Sequence, residues 1–210
     1  MDQQQQSLEA LQDIKRIMER SSRFISLSGL SGIAAGCCGL GAAAIAYEWI
    51  KVYYKNYDIS GHWNLNDFAQ LKWKLFTLGI VTMAIAFAAG FYFTWRKVKR
   101  SNVDIWNASS KRLLINLCIP LLAGGIFVFA MLLNNEWKFI GPACLLFYGL
   151  ALINGSKYTL DEIRYLGMLE IVLGCVNLFL TGYGLYFWAM GFGLLHIVYG
   201  LLMWNKYERK

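Results

Sequence analysis

The stretch LDEIRYLGMLEIVLGCVNLFLTGYGLYFWAMGFGLLHIVYGLLMW, residues 160–204, decides the fold. It reads as two apolar helices joined at Thr181-Gly182-Tyr183-Gly184, with Glu170 on one arm and His196 on the other. Ionisable side chains are the most costly groups to keep in lipid, so a carboxylate and an imidazole inside such runs face a protein interior. Reflecting the hairpin about Tyr183 carries position 170 onto 196. This sets the two groups level, each about 8 residues, or roughly 12 Å, inside the same membrane face. Gly167, Glu170, Gly174, Asn177 and Thr181 recur at steps of three and four, as do Ala189, Gly193, His196 and Gly200. Stripes this small and polar belong at helix–helix seams in a membrane.

Working outward, the whole chain has the same character. Its 210 residues are 57% hydrophobic and 16% charged, and the mean hydropathy is +0.41. A soluble globule of this length cannot hide that much apolar surface, so lipid has to serve as solvent. Lipid forces backbone groups to pair within the chain, and the apolar runs lack the alternation that barrel strands need. The reading is an all-α, polytopic membrane bundle of six transmembrane helices, at 24–47, 75–95, 113–133, 139–153, 163–181 and 185–204. A polar N-terminal segment, 1–23, and a short tail, 206–210, flank the transmembrane domain. With both termini cytoplasmic, about 15 of the 20 Lys and Arg lie on the cytoplasmic side, as the positive-inside rule requires.

The net charge of +7 therefore reflects topology and anionic headgroups around Arg96-Lys97-Val98-Lys99-Arg100 and Lys111-Arg112. No nucleic-acid recognition module accompanies it. The five cysteines, Cys37, Cys38, Cys118, Cys144 and Cys175, fall inside apolar runs without metal-ligand spacing and read as small packing residues.

Residues 1–23 carry Leu8, Leu11, Ile14 and Met18 at helical spacing. They read as an amphipathic helix on the membrane surface or a docking helix for a cytoplasmic protein. The first span carries Gly29, Gly32, Gly36 and Gly39 on one face. Its Gly32–Gly36 step permits close approach of a second backbone, within the chain or across a homo-oligomer. From Glu48 to Lys74 an aromatic-rich outside loop is expected, with a lone His62 that has no metal-binding partner. Within it, Asn66-Asp67 followed by Phe68, Leu71 and Leu75 reads as the capped start of a helix leading into the second span. In the third span Pro120 frees the carbonyl of Asn116, one turn back, for a polar contact. Gly141-Pro142 suits the first turn of the fourth span, and Thr159 with Glu162 has the spacing of a capping box for the fifth.

Two internal echoes accompany this pattern. Gly29, Ile33, Gly36 and Cys37 match Gly167, Ile171, Gly174 and Cys175, while Tyr148-Gly149-Leu150 and Asn154 match Tyr199-Gly200-Leu201 and Asn205. Each joins helices of one orientation, as three related hairpins would. The run Met18 to Gly32, MERSSRFISLSGLSG, resembles the start of a group of inner-membrane proteins from Bacteroidota. So do Phe147-Tyr148-Gly149-Leu150-Ala151-Leu152 and Ser156-Lys157-Tyr158-Thr159-Leu160. The resemblance implies a bacterial inner-membrane address and an association with a winged-helix regulator; it brings no established activity and no catalytic residues.

Chemistry therefore rests on the C-terminal hairpin. Glu170 and His196 read either as a buried titratable pair that relays a proton or holds a polar ligand, with Tyr148, Asn177 or Asn116 supplying hydrogen bonds, or as a lock between two helices. No catalytic motif or metal site is visible, no cofactor is called for, and the lone intramembrane histidine leaves a single-histidine haem as the one candidate group. Three roles stay open: a ligand- or lipid-binding regulatory module, a small-solute or proton-coupled transporter working as an oligomer, and an assembly partner in a membrane complex.

Overall fold

The computed structural model describes residues 27–60, 65–101, 106 and 108–209, and every regular element among them is helical. The N-terminal segment and His62 lie outside the described residues. In chain order come α1 (Gly29–Ser60), α2 (Leu65–Ser101) and α3 (Ala108–Leu133). A 3-10 turn at Trp137–Phe139 leads into α4 (Ile140–Ser156), and α5 (Asp161–Phe179) follows. After a second such turn, Thr181–Tyr183, one last rod contains α6 (Gly184–Trp188), wide π-helical turns at Ala189–Leu195 and α7 (His196–Tyr207).

Five helical stretches are long and apolar enough to cross a membrane: Gly29–Ile59, Asn66–Lys99, Ala108–Leu133, Trp137–Ser156 and Thr181–Tyr207. α5 stands apart by composition, because Asp161, Glu162, Arg164 and Glu170 fall within its 19 residues. Large apolar side chains along α2 and α3, among them Phe87, Phe91, Leu122 and Ile126, are exposed. In water such a surface would be untenable; in lipid it is the ordinary outer face of a bundle.

Two seams hold the bundle together. α1 lies between α2 and the last rod, α4 lies between α3 and α5, and α5 meets the last rod only lightly. This corrects the picture of a self-paired C-terminal hairpin, because the stripe on each arm packs mainly on a helix from elsewhere. A β-carbon built on Gly200 would stand 2.8 Å from Gly29 O and 2.6 Å from Ile33 N. On Gly149 it would stand 2.7 Å from Gly167 O and 2.9 Å from Ile171 N. One turn further, Gly36 faces Ile197 as Gly174 faces Leu146. Gly32 packs on Gly200, and Gly193 on Leu40. Side chains here would push the helices apart and forfeit the van der Waals contact that drives association in lipid.

Several expected boundaries shift. α1 runs on through Ser60, well into the aromatic-rich stretch expected as a loop, while α2 starts at Leu65, beside the helix start expected at Asn66-Asp67. No Gly or Pro interrupts Glu48–Ile59 or Asn66–Lys74, so nothing stops the backbone ladder at the membrane surface. At the start of α5 the N-cap is Leu160, one residue past the Thr159 of the expected capping box and without a side-chain cap bond of its own, and Glu162 reaches Lys206 Nζ at 2.6 Å and Tyr207 Oη at 3.0 Å. Burial works to raise the Glu162 carboxyl, but the Lys206 and Tyr207 bonds, together with a backbone bond, outweigh it and hold the group below the usual range. Cys37 and Cys175 are exposed rather than packed.

The ends of the bundle are fastened by side chains. Pro120 sits inside α3, and the Asn116 carbonyl it frees accepts a bond from Asn154 Nδ2 at 2.9 Å. At one end of the bundle, Glu208 accepts from Gly29 N at 2.6 Å, from Ser28 Oγ at 3.2 Å and from Lys97 Nζ at 3.2 Å. The carboxylate thus sits at the N-terminus of α1, where unpaired N–H groups and the helix dipole favour an anion.

Candidate functional site

Glu170 on α5 and His196 at the start of α7 come together where the two seams approach each other: His196 Nδ1 is 3.6 Å from Glu170 Oε1. Glu170 is 0% exposed and His196 6%. The imidazole is fully engaged. Its Nδ1 lies 2.9 Å from Gly191 O and its Nε2 lies 2.7 Å from Tyr148 Oη. Since a carbonyl only accepts, Nδ1 carries the proton; in the neutral ring Nε2 then accepts from the tyrosine hydroxyl, and both nitrogens are satisfied.

Glu170 is the opposite. Neither carboxyl oxygen has a hydrogen-bond partner among the described residues. A β-carbon on Gly191 would strike Oε2, and Leu145, itself 0% exposed, closes in beside it. An ionised carboxylate in such surroundings is costly, because the group is fully buried and no protein donor among the described residues lies within hydrogen-bond distance of it. The group is relieved by binding a proton or by capturing the Nδ1–H that Gly191 now holds.

The π-helical turns make this competition available. They end at His196, whose backbone N–H bonds Gly193 O, while the Gly191 carbonyl, five residues back, takes the ring. Wide turns of this kind are uncommon and concentrate at functional sites. Aromatic rings wall the site: Tyr148 packs 5.1 Å from Phe192 and 5.3 Å from His196, and Trp188 lies 5.2 Å from Phe192.

Of the five residues singled out from sequence, three converge: Glu170, His196 and Tyr148. Asn177 does not join them. It lies two turns further along α5, donates from Nδ2 to Leu180 O at 3.0 Å and closes the helix end. Asn116 is separate as well; its Nδ2 bonds back to Arg112 O at 2.8 Å on its own helix. Sequence reasoning missed Gly191, Phe192 and Leu145. The π turns displace the spacing on which the α-helical stripe was counted, and nothing in the composition of Ala189–Leu195 announces them. No group of three or more His, Cys, Asp or Glu able to hold a metal occurs among the described residues.

Fold and site together define a helical bundle with several helices long and apolar enough to cross a membrane and an ionisable cluster in its interior. No family model, curated protein or solved structure matches the chain significantly.

Proposed function

We propose that the chain is a six-span inner-membrane regulatory module, with both termini cytoplasmic, whose Tyr148–His196–Glu170 cluster binds and releases a proton. One observation carries this reading: a fully buried carboxyl group with both oxygens unsatisfied stands beside a histidine whose bonds are already made. A lock would pair the two groups, since a half-satisfied polar contact is worse than an apolar one. When Glu170 is ionised it competes with Gly191 O for Nδ1–H; when it is protonated the imidazole returns to Gly191. Each exchange adds or removes a bond to the π-helical turns, so the last rod, which ends among the cytoplasmic charges, senses the proton. The two alike glycine seams favour a second reading, proton-coupled transport by an oligomer, because repeated halves are a habit of carriers.

Infrared difference spectroscopy across a pH titration tests the proposal. A carboxylic acid carbonyl band should titrate in the native chain, disappear in Glu170→Gln and shift its midpoint in His196→Gln, with helical content unchanged. A native chain without a titrating band, or a Glu170→Gln variant that loses its helical content, would return the pair to a purely structural role.

A further inference from the structure

A groove of about 770 Å³ opens between α1 and α2 at the end of the bundle opposite the basic cluster. Its walls include Trp49, Gln70, Trp73, Lys74, Leu78 and Val81. Depth along the helix identifies what fits it. Lys97 sits among the basic residues that end α2, at one headgroup layer. Counting back along α2 at about 1.5 Å per residue, Val81 lies about 24 Å away and Lys74 about 35 Å. Hydrocarbon about 30 Å thick therefore ends between them. The floor at Leu78 and Val81 lies at acyl-chain depth, and the mouth at Trp73 and Lys74 lies at the opposite headgroup layer.

The chemistry changes at the same level. Below it Leu78 and Val81 supply an aliphatic wall. Above it the lining residues Lys74, Gln70, Trp49 and Trp73 carry an ammonium, an amide and two indole N–H groups, donors for which a phosphodiester presents the matching acceptors. Trp73 is about half exposed and rests edge-on against Phe76, with centroids 5.9 Å apart, so its ring is held at the mouth rather than folded away.

We propose that this groove is a phospholipid site: the phosphate lies against Lys74, Gln70 and the tryptophan N–H groups, and one acyl chain descends along Leu78 and Val81. The occupant is a phospholipid from the leaflet opposite the basic cluster, and the site is separate from the Glu170 cluster.

The test uses the full chain in maltoside micelles titrated with phosphatidylglycerol brominated on its acyl chains, read by quenching of tryptophan fluorescence. Saturable quenching is expected, and it should be largely lost in the Trp49→Phe, Trp73→Phe double variant. Lys74→Glu should weaken binding about tenfold, Val81→Phe should block it, and brominated diacylglycerol, which lacks the phosphate, should bind about tenfold more weakly. Inorganic phosphate should not displace the lipid. Quenching that rises with lipid fraction without saturating, and ignores Lys74→Glu, would show bulk solvation of the surface and overturn the site. Displacement by phosphate alone would overturn it in favour of a free-anion site. Failure to quench, together with cross-linking between chains through Trp73→Cys, would assign the groove to a second copy.

Discussion

The α1–α7 seam and the α4–α5 seam are built alike and differ at one level. Gly29, Ile33 and Gly36 meet Gly200 and Ile197 as Gly167, Ile171 and Gly174 meet Gly149 and Leu146. Three residues beyond Gly29 stands Gly32, packed against His196 O and Gly200; three beyond Gly167 stands Glu170. Four residues before Gly200 is His196, and four before Gly149 is Leu145. One seam therefore supplies the histidine and the other the carboxyl, at the level where their likeness breaks. Close backbone contact is the common requirement, and chemistry is carried by departures from it.

Breaking the seams should give the largest effect. Gly149→Val and Gly36→Val each put a branched side chain against backbone, and each should lower stability by about 1–3 kcal/mol or more, measured as the thermal midpoint in detergent. Gly125→Val, where nothing stands within 4 Å of the added carbon, should cost far less. A large loss at one seam only would show that the two do not share the load.

The Asn154 contact sharpens the comparison, because it belongs to the α3–α4 side alone. Asn154→Leu leaves the carbonyl freed by Pro120 without its donor and should cost about 0.6–2 kcal/mol. Thermal unfolding of this variant in a Pro120→Ala background checks the assignment, since the loss should shrink once the carbonyl is returned to its helix. An unchanged loss would mean that Asn154 acts through something other than that carbonyl.

The smallest effect concerns Glu162, which ties α5 to the end of α7. Its carboxyl is held below the ordinary range, so the stabilisation is present above its unfolded pKa, about 4.3. It is lost as pH falls through the lower folded value. Lys206 is largely exposed and solvent screens the pair, so the thermal midpoint should fall by at most about 2 °C on acidification. Glu162→Gln should flatten that acid limb.

The helical architecture was legible because apolar run length and lipid solvation leave few alternatives. The meeting of Glu170 with His196 was legible because reflection about a turn needs only counting. Which helices the glycine stripes would meet was not, since a stripe at steps of three and four marks a close approach without naming the other backbone. The matched segments of the internal echo occupy corresponding sides of the two seams. The π turns were invisible because their signal is a hydrogen-bond register. Tyr148 was found because it is polar in an apolar run; Asn154, part of the same echo, was not linked to Asn116 because the donor and the freed carbonyl lie on different helices. The extra length of α1 was misjudged because aromatic and charged residues mark a membrane surface without ending a helix, whereas the start of α2 was legible in Asn66-Asp67.

The carboxylate of Glu208 gives the chain a property of circuits rather than of bundles. By holding Gly29 N, it makes the beginning and the end of the membrane domain neighbours, so the polypeptide path is a closed loop fastened by hydrogen bonds instead of a peptide bond. Lys97 touches the same clasp, which joins the start of α1, the end of α2 and the end of α7 in one knot of charge. The start of α1 and the end of α7 are thereby held to each other directly and not only through the helices between them.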